Sequence, residues 1–356
     1  MLPFLSLLVS VSCSYCTEKL PAVEKYKKHS AGFVPEKVVV VIRHGDRMPE
    51  HQKKRTKWSF CVFSERVSVS GRERERLSGE SMCKPGALTI SGCTRLNKLG
   101  EILRQIYIDH KATFVNEEET ETRTTFSERT KASAVCLLRG LFPDQVSFQM
   151  ENKGGETDSL IGPRDGKSAM QQRSYTARVF DNFVRKIEKR FGTRNTRKVF
   201  YARDKYMVKK CHSKLTGADL EKGQDKEMAK EVTKYVLETE RELAKHKDIV
   251  SHTTGPLLKD IFEKLADQGK RFVLFSGHDT TIYLLFLGLG IKIEEWPGYN
   301  TNVIFERGRL GGRELMRVIW NGEFYHPGWA GTDGDGFFLF SDFEKHTREL
   351  LGGTRN

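Results

Sequence analysis

The sequence predicts an α/β fold in which a parallel-dominated central sheet is flanked by helices and carries a smaller helical insertion domain. Three stretches predict it. Residues 38–42 read VVVVI, an unbroken β-branched run that suits a strand buried on both faces. Residues 271–275, RFVLF, make a second short apolar strand that leads through a polar hexapeptide into the apolar helix 282–289. Residues 145–252 are highly charged, with apolar residues at helical spacing. The expected division is therefore an α/β core over 37–144 and 253–356, with the helical insertion over 145–252.

At the amino terminus, the apolar run 2–12 is too short to span a membrane and suits the central region of a signal peptide, so 1–16 is assigned to one. No Lys or Arg precedes that run, and a signal anchor is the alternative. Of seven cysteines, Cys13 and Cys16 fall in or beside this segment. Cys61, Cys83, Cys93, Cys136 and Cys211 then allow one or two disulfides in a secretory compartment, with an odd thiol left over. No CxxC pair points to zinc. Residues 17–36 read as a polar surface lead-in.

The first strand ends abruptly in charge. Arg43, His44 and Arg47 fall within five residues, Gly45 permits close backbone approach, and Pro49 stops the loop. Cations at the mouth of a buried sheet are costly unless they meet a negative group, and guanidinium forks match phosphate oxygens. The run Arg43-His44-Gly45-Asp46-Arg47-Met48-Pro49 resembles the RHGxRxP signature of the histidine acid phosphatases, the second branch of the histidine phosphatase superfamily. The resemblance implies that His44 is a nucleophile.

Residues 51–86 read as a long basic loop, with KKRTK at 53–57 and RERER at 72–76; Trp58, Phe60, Val62 and Phe63 argue that part of it packs down. A helix follows 88–92, with Leu96, Leu99, Leu103 and Ile106 on one face. In RTTFSERTKASAVCLLRGLFP, 123–143, an extended start precedes a helix with Ala132, Val135, Leu138 and Leu141 inward. This segment resembles the family's R-[ST]-T-x-x-x-R-T…GLFP element, which implies that Arg123 reaches the phosphate and leaves Arg129 as a structural ion-pair partner. In the insertion, Phe180, Phe183, Ile187 and Phe191 form one stripe and Met228, Val232 and Val236 another. Gly255-Pro256 is expected to open a helix with Leu258, Ile261, Phe262 and Leu265 inward.

After the second strand comes Ser276-Gly277-His278-Asp279-Thr280-Thr281, a strand-to-helix junction where a helix amino terminus favours an anion. SGHDTT resembles the family's histidine-aspartate element. A lone His-Asp is ordinarily a helix cap, but three such elements in order outweigh that reading. Residues 302–307 and 314–320 flank a Gly-rich turn and suggest a hairpin at the sheet edge. Ser341 and Glu344 suggest a capping box for a last helix over 342–351, and Asp333 to Gly336 a turn.

The formal charge of +13 and pI near 9.3 favour a polyanionic partner, such as an acidic glycan. No zinc-finger, RNP or basic-zipper pattern accompanies the charge, which argues against nucleic acid. The resemblance implies a phosphate monoester hydrolase. Arg43, Arg47 and Arg123 would hold the phosphoryl oxygens, His278 would add a hydrogen bond, and His44 would attack. Asp279, its pKa raised by the bound dianion, would be the general acid. This scheme needs no metal and no cofactor. The alternatives are a secreted anionic-glycan-binding protein, a mutase-like phosphoryl transferase, and a phosphatase acting on phosphorylated xylose. The expected location is the secretory pathway, secreted or in the lysosomal or Golgi lumen.

Overall fold

The computed structural model describes residues 15–16, 18–50, 61–78, 83–114, 116–152, 158–161, 181–212, 224–292 and 294–352. The apolar run 2–12, Cys13, the KKRTK stretch, Trp58, Phe60 and Phe180 lie outside these residues. The elements run α1 (Val23–Lys28), β1 (Val34–Arg43), β2 (Cys61–Val69), β3 (Arg72–Ser78), β4 (Leu88–Thr89), α2 (Ile90–Leu103), β5 (Thr120–Thr124), α3 (Glu128–Leu141) and α4, described over 181–191. They continue with α5 (Thr196–Cys211), α6 (Gln224–Leu243), α7 (Lys247–Ala266), β6 (Phe272–Gly277), α8 (Asp279–Leu289), β7 (Asn302–Leu310), β8 (Arg313–Trp320), β9 (Glu323–Tyr325), β10 (Phe338–Leu339) and α9 (Phe340–Leu350).

The central sheet is mixed, in the order β10-β8-β7-β1-β6-β5, with β9 paired to β8. β1, β6 and β5 are mutually parallel, and this is the half that ends in the charged junctions. The other half is antiparallel: β7 pairs with β1 and forms a hairpin with β8 through Gly311 and Gly312, both at positive φ. Alternate residues of β1 serve opposite cores. Val38, Val40 and Ile42 pack with α2 and α3, whereas Val39 and Val41 pack with α7, α8 and α9. The same alternation splits Phe272 and Leu274 from Val273 and Phe275 on β6. A strand covered on both faces is what a continuous apolar run requires.

The expected inward faces are buried: Leu96, Leu99, Leu103 and Ile106 after β4, and Ala132, Val135, Leu138 and Leu141 on α3. The helical stretch has an apolar cluster of its own, built on Phe183, Ile187, Val199 and Val232, with Phe191, Met228 and Val236 against it.

Several expectations need correction. The lead-in is packed, because Tyr26 of α1 donates to the buried Glu306 at 2.7 Å, and Glu306 is paired with buried Arg317 at 2.5 Å. The basic loop contains a β-hairpin, β2–β3, turning at Ser70-Gly71, so RERER is a strand with alternating partners. Arg74 pairs with Glu117 and Arg76 with Glu65. α7 begins at Lys247, so Pro256 lies inside a helix that loses one backbone hydrogen bond there. α9 starts at Phe340 with no side-chain cap, and Glu344 pairs with Arg348 instead. Three disulfides join Cys16–Cys211, Cys61–Cys83 and Cys93–Cys136. Cys16 therefore belongs to the folded protein, and the odd thiol expected among the later five has a partner.

α2 and α3 cross backbone to backbone. A Cβ on Gly100 would lie 2.0 Å from the carbonyl oxygen of Leu137, and one on Gly140 would lie 2.0 Å from that of Asn97. Neither obstacle is a movable side chain. Gly100→Ala and Gly140→Ala should each lower stability by about 1–3 kcal/mol or more, since the helices must separate to admit a methyl. Urea midpoints read this directly. Gly328→Ala, where a Cβ meets nothing, is the control and should stay within about 0.5 kcal/mol.

Candidate active site

The parallel registers bring two charged junctions side by side: Arg43 at the end of β1 pairs with Gly277 at the end of β6, and the amide of His44 donates to the Gly277 carbonyl at 2.9 Å. The loop after β1 lies against the start of α2. A Cβ on Gly45 would come within 2.9 Å of the Gly92 carbonyl oxygen, and one on Gly92 within 2.6 Å of the Asp46 backbone. Glycine is needed on both sides of that contact. Thr89, which caps α2, also donates to the Asp46 carboxylate at 2.7 Å, fixing the loop.

His44 is buried, and its Nδ1 lies 2.8 Å from the Gly45 carbonyl oxygen. A carbonyl only accepts, so Nδ1 carries the hydrogen and Nε2 carries the lone pair. Burial, then the charges of Arg129 and Arg43, hold the imidazole well below its ordinary pKa. It is a neutral base surrounded by cations. His278, the N-cap of α8, has its ring 5.6 Å from that of His44. Arg129 donates to its Nδ1 at 3.3 Å, so Nε2 holds the hydrogen and donates to Thr125 Oγ1 at 2.9 Å. Burial and the Arg129 charge push His278 down to about 3.

Arg43 is fully buried. It donates to the Pro297 carbonyl at 2.5 Å, lies 3.3 Å from Asp279, and packs against the rings of Tyr299 and Tyr15, 4.3 and 4.9 Å away, which also touch each other. Arg47 reaches Asp204 of α5 at 2.8 Å. Arg129, in the first turn of α3, reaches Glu50 at 2.7 Å. Asp279 also accepts from the Trp296 indole at 2.9 Å. Burial alone would raise the Asp279 pKa, but Arg43 and that indole outweigh it and hold the carboxyl well below the usual range. The expectation of a raised pKa thus does not describe the protein without a ligand.

Arg123 is the main departure. Its guanidinium is bonded to Asp158 at 2.7 Å, Asp260 at 2.5 Å and Ser159 at 2.6 Å. In register Arg123 pairs with Phe275, two residues before Gly277, and so stops about 7 Å short of the level of Arg43. Arg129, which lies beyond the turn after β5, stands at that level instead. The sequence offered a signal for it, the second arginine of RTTFSERT, but the strand and loop geometry decides between the two. Tyr15, Trp296, Tyr299, Glu50 and Asp204 also meet the site residues, and no local motif marks them. Among the described residues, no group of three or more His, Cys, Asp or Glu side chains could hold a metal ion.

A family model described as "Histidine phosphatase superfamily (branch 2)" matches residues 36–169. A probable acid phosphatase of Dictyostelium discoideum is 27% identical over 146 residues, covering 40% of this chain and 30% of that protein, less than a third of its length. 2-Phosphoxylose phosphatase 1 of Xenopus tropicalis is 23% identical over 338 residues, covering 80% of this chain and 67% of that one. Among solved structures, Hafnia alvei phytase in complex with myo-inositol hexakis sulphate aligns with a TM-score of 0.61 at 14% identity, over 90% of this chain and 98% of that one. A Bifidobacterium longum multiple inositol polyphosphate phosphatase aligns with a TM-score of 0.64 at 11% identity, over 94% and 97%. At such identities these likenesses show the fold, and with the family model and the relatives they lead to one conclusion. Over residues 36–169 the chain matches branch 2 of the histidine phosphatase superfamily, and its fold is that of the two solved structures.

Proposed function

We propose that the protein hydrolyses phosphate monoesters through a phosphohistidine on His44, with Asp279 as general acid and then base. One observation carries the reading: the hydrogen on His44 Nδ1 is tied to a carbonyl, which leaves the Nε2 lone pair as nucleophile among three arginines. Arg43, Arg47 and Arg129 are the groups we assign to the phosphoryl oxygens, with Arg129 in the place first expected of Arg123. His278 uses its one hydrogen on Thr125 in the free protein, so it adds a donor to phosphate only once a dianion draws a proton onto Nδ1.

In the first step the His44 Nε2 lone pair forms the P–N bond as the ester P–O bond breaks, and the leaving alkoxide takes a proton from Asp279. That proton needs a source, because Asp279 is ionised in the free protein. A phosphate group that occupies Arg43 removes the charge holding Asp279 ionised, and a monoanionic ester brings a proton with it. In the second step water attacks phosphorus, gives its proton to Asp279 and releases Nε2. Nucleophile, cations and acid lie at the carboxyl ends of parallel strands, the usual place for ligand chemistry in such sheets.

Two relatives named 2-phosphoxylose phosphatase 1 align over 80% and 86% of this chain, which supports a phosphorylated carbohydrate as the substrate class. A lysophosphatidic acid phosphatase of Pongo abelii and a venom acid phosphatase of Apis mellifera also match, so a lipid or small ester is the competing choice. Three disulfides fit an oxidising compartment on the secretory route.

His44→Ala is expected to lose turnover by about three orders of magnitude or more, with acid-labile phosphate trapped on the wild type alone in rapid-quench experiments. Normal turnover by the variant would end the proposal. Asp279→Asn should slow hydrolysis of alkyl phosphates far more than of nitrophenyl phosphate, whose leaving group needs no proton; equal losses would assign Asp279 to positioning. Arg129→Ala should raise KM and lower kcat on every ester. Arg123→Met should act chiefly on the urea midpoint, because it leaves Asp158 and Asp260 unpaired.

The pH dependence of stability follows from the two imidazoles. Both are neutral in the folded protein, while the unfolded chain protonates them near about 6.5. The unfolded state therefore binds more protons below that value, and stability falls as pH drops from about 6.5 toward 3. Urea midpoints at descending pH should show this, with a shallower fall in His278→Gln; a fall of equal slope in both proteins would count against the assignment.

A further inference from the structure

Each of the three arginines faces one carboxylate: Arg43 faces Asp279, Arg47 faces Asp204 and Arg129 faces Glu50. Asp279 handles a proton in the reaction above, but the other two have no part in it. They are also joined to one another. Asp204 accepts from the backbone amide of Glu50 at 3.1 Å, and Glu50 approaches Arg47 at 3.8 Å. Asp204 comes from α5, outside the α/β core, and its side chain is 17% exposed; that of Glu50 is 37% exposed, whereas Arg43 is at 0%. The pair therefore lies toward the mouth of the site and not on its floor.

A phosphoryl group that takes Arg47 and Arg129 must share them with these carboxylates, which hold the Nη atoms while the Nε of each guanidinium is buried with no partner among the described residues. They then stand beside the bound ester as acceptors that share its arginines. In a partly buried mouth a nearby like charge is strongly disfavoured, while a hydroxyl can donate to either oxygen.

We propose that Asp204 and Glu50 are specificity-determining residues that select a phosphate monoester of an uncharged, hydroxyl-bearing alcohol and reject one carrying a second phosphate beside the first. This rests on the phosphatase reading and narrows its substrate class. The basic character of the chain as a whole would predict the opposite preference.

The test compares an inositol monophosphate with a vicinal inositol bisphosphate as substrates. It also compares methylphosphonate with methylenebisphosphonate, which cannot be hydrolysed, in calorimetric titrations. The wild type should favour the singly phosphorylated member at least tenfold in kcat/KM and bind methylphosphonate more tightly than methylenebisphosphonate. Asp204→Asn and Glu50→Gln should each shrink both preferences at least fivefold, through tighter binding of the doubly charged member. If no ester is turned over but the phosphonate preferences shift this way, the phosphatase reading falls and the selectivity role stands. If esters turn over but both variants keep the wild-type ratios, the proposal is overturned. The same holds if both variants lose the two ligands alike, because the carboxylates would then merely hold the arginines in place.

Discussion

Three guanidinium groups and two imidazoles converge where β1 and β6 end, and their mutual repulsion in a buried space is the constraint on which the surrounding structure depends. Burying a charge without a partner is costly, so each cation is answered from a different part of the chain. Asp279 of α8 answers Arg43, Asp204 of α5 answers Arg47, and Glu50 of the loop after β1 answers Arg129. The imidazoles answer by staying neutral. Without an anion the site is thus close to balanced in charge.

The same demand explains contacts far from the motif. Arg43 packs against Tyr299 and Tyr15 and donates to Pro297, so both the 296–301 segment and the residues before α1 must reach it. Buried Glu18 secures that arrangement by accepting from the amide of Gly298 and the side chain of Asn321. Next to Tyr15, Cys16 is bonded to Cys211 at the end of α5, and His212 lies 2.8 Å from Asp46 of the motif loop. The amino-terminal lead-in, the helical stretch and the loop after β1 are therefore tied together around one arginine. A stretch that looks like solvated surface in sequence becomes a wall of the site, because guanidinium planes favour aromatic faces.

Arg123 and Arg129 show how the backbone chooses between chemically equal residues. They lie six positions apart, and either could have faced the anion. β5 is the edge strand of the parallel half, and its register leaves Arg123 opposite Phe275, where Asp158 and Asp260 enclose it. The chain has to clear the end of β5 and enter α3 before an arginine stands level with His44. Arg123 then becomes a clamp between β5 and α7.

By itself the sequence determined what depends on local pattern. The valine run of β1, the apolar strand β6 and the helical spacing of α2 and α3 reflect burial on two faces or one, which side-chain periodicity encodes directly. The grouping of Arg43, His44 and Arg47, and of His278 with Asp279, was legible because each set occupies a single strand end. What only the tertiary structure decided depends on register and on contacts between distant segments. Which arginine joins the site, which carboxylates offset it, and the pairing of Cys16 with Cys211 all arise from strands and helices meeting across long sequence separations. So does the ionised state of Asp279. Neighbours at 43 and 296 impose it, and no pattern within SGHDTT carries that information.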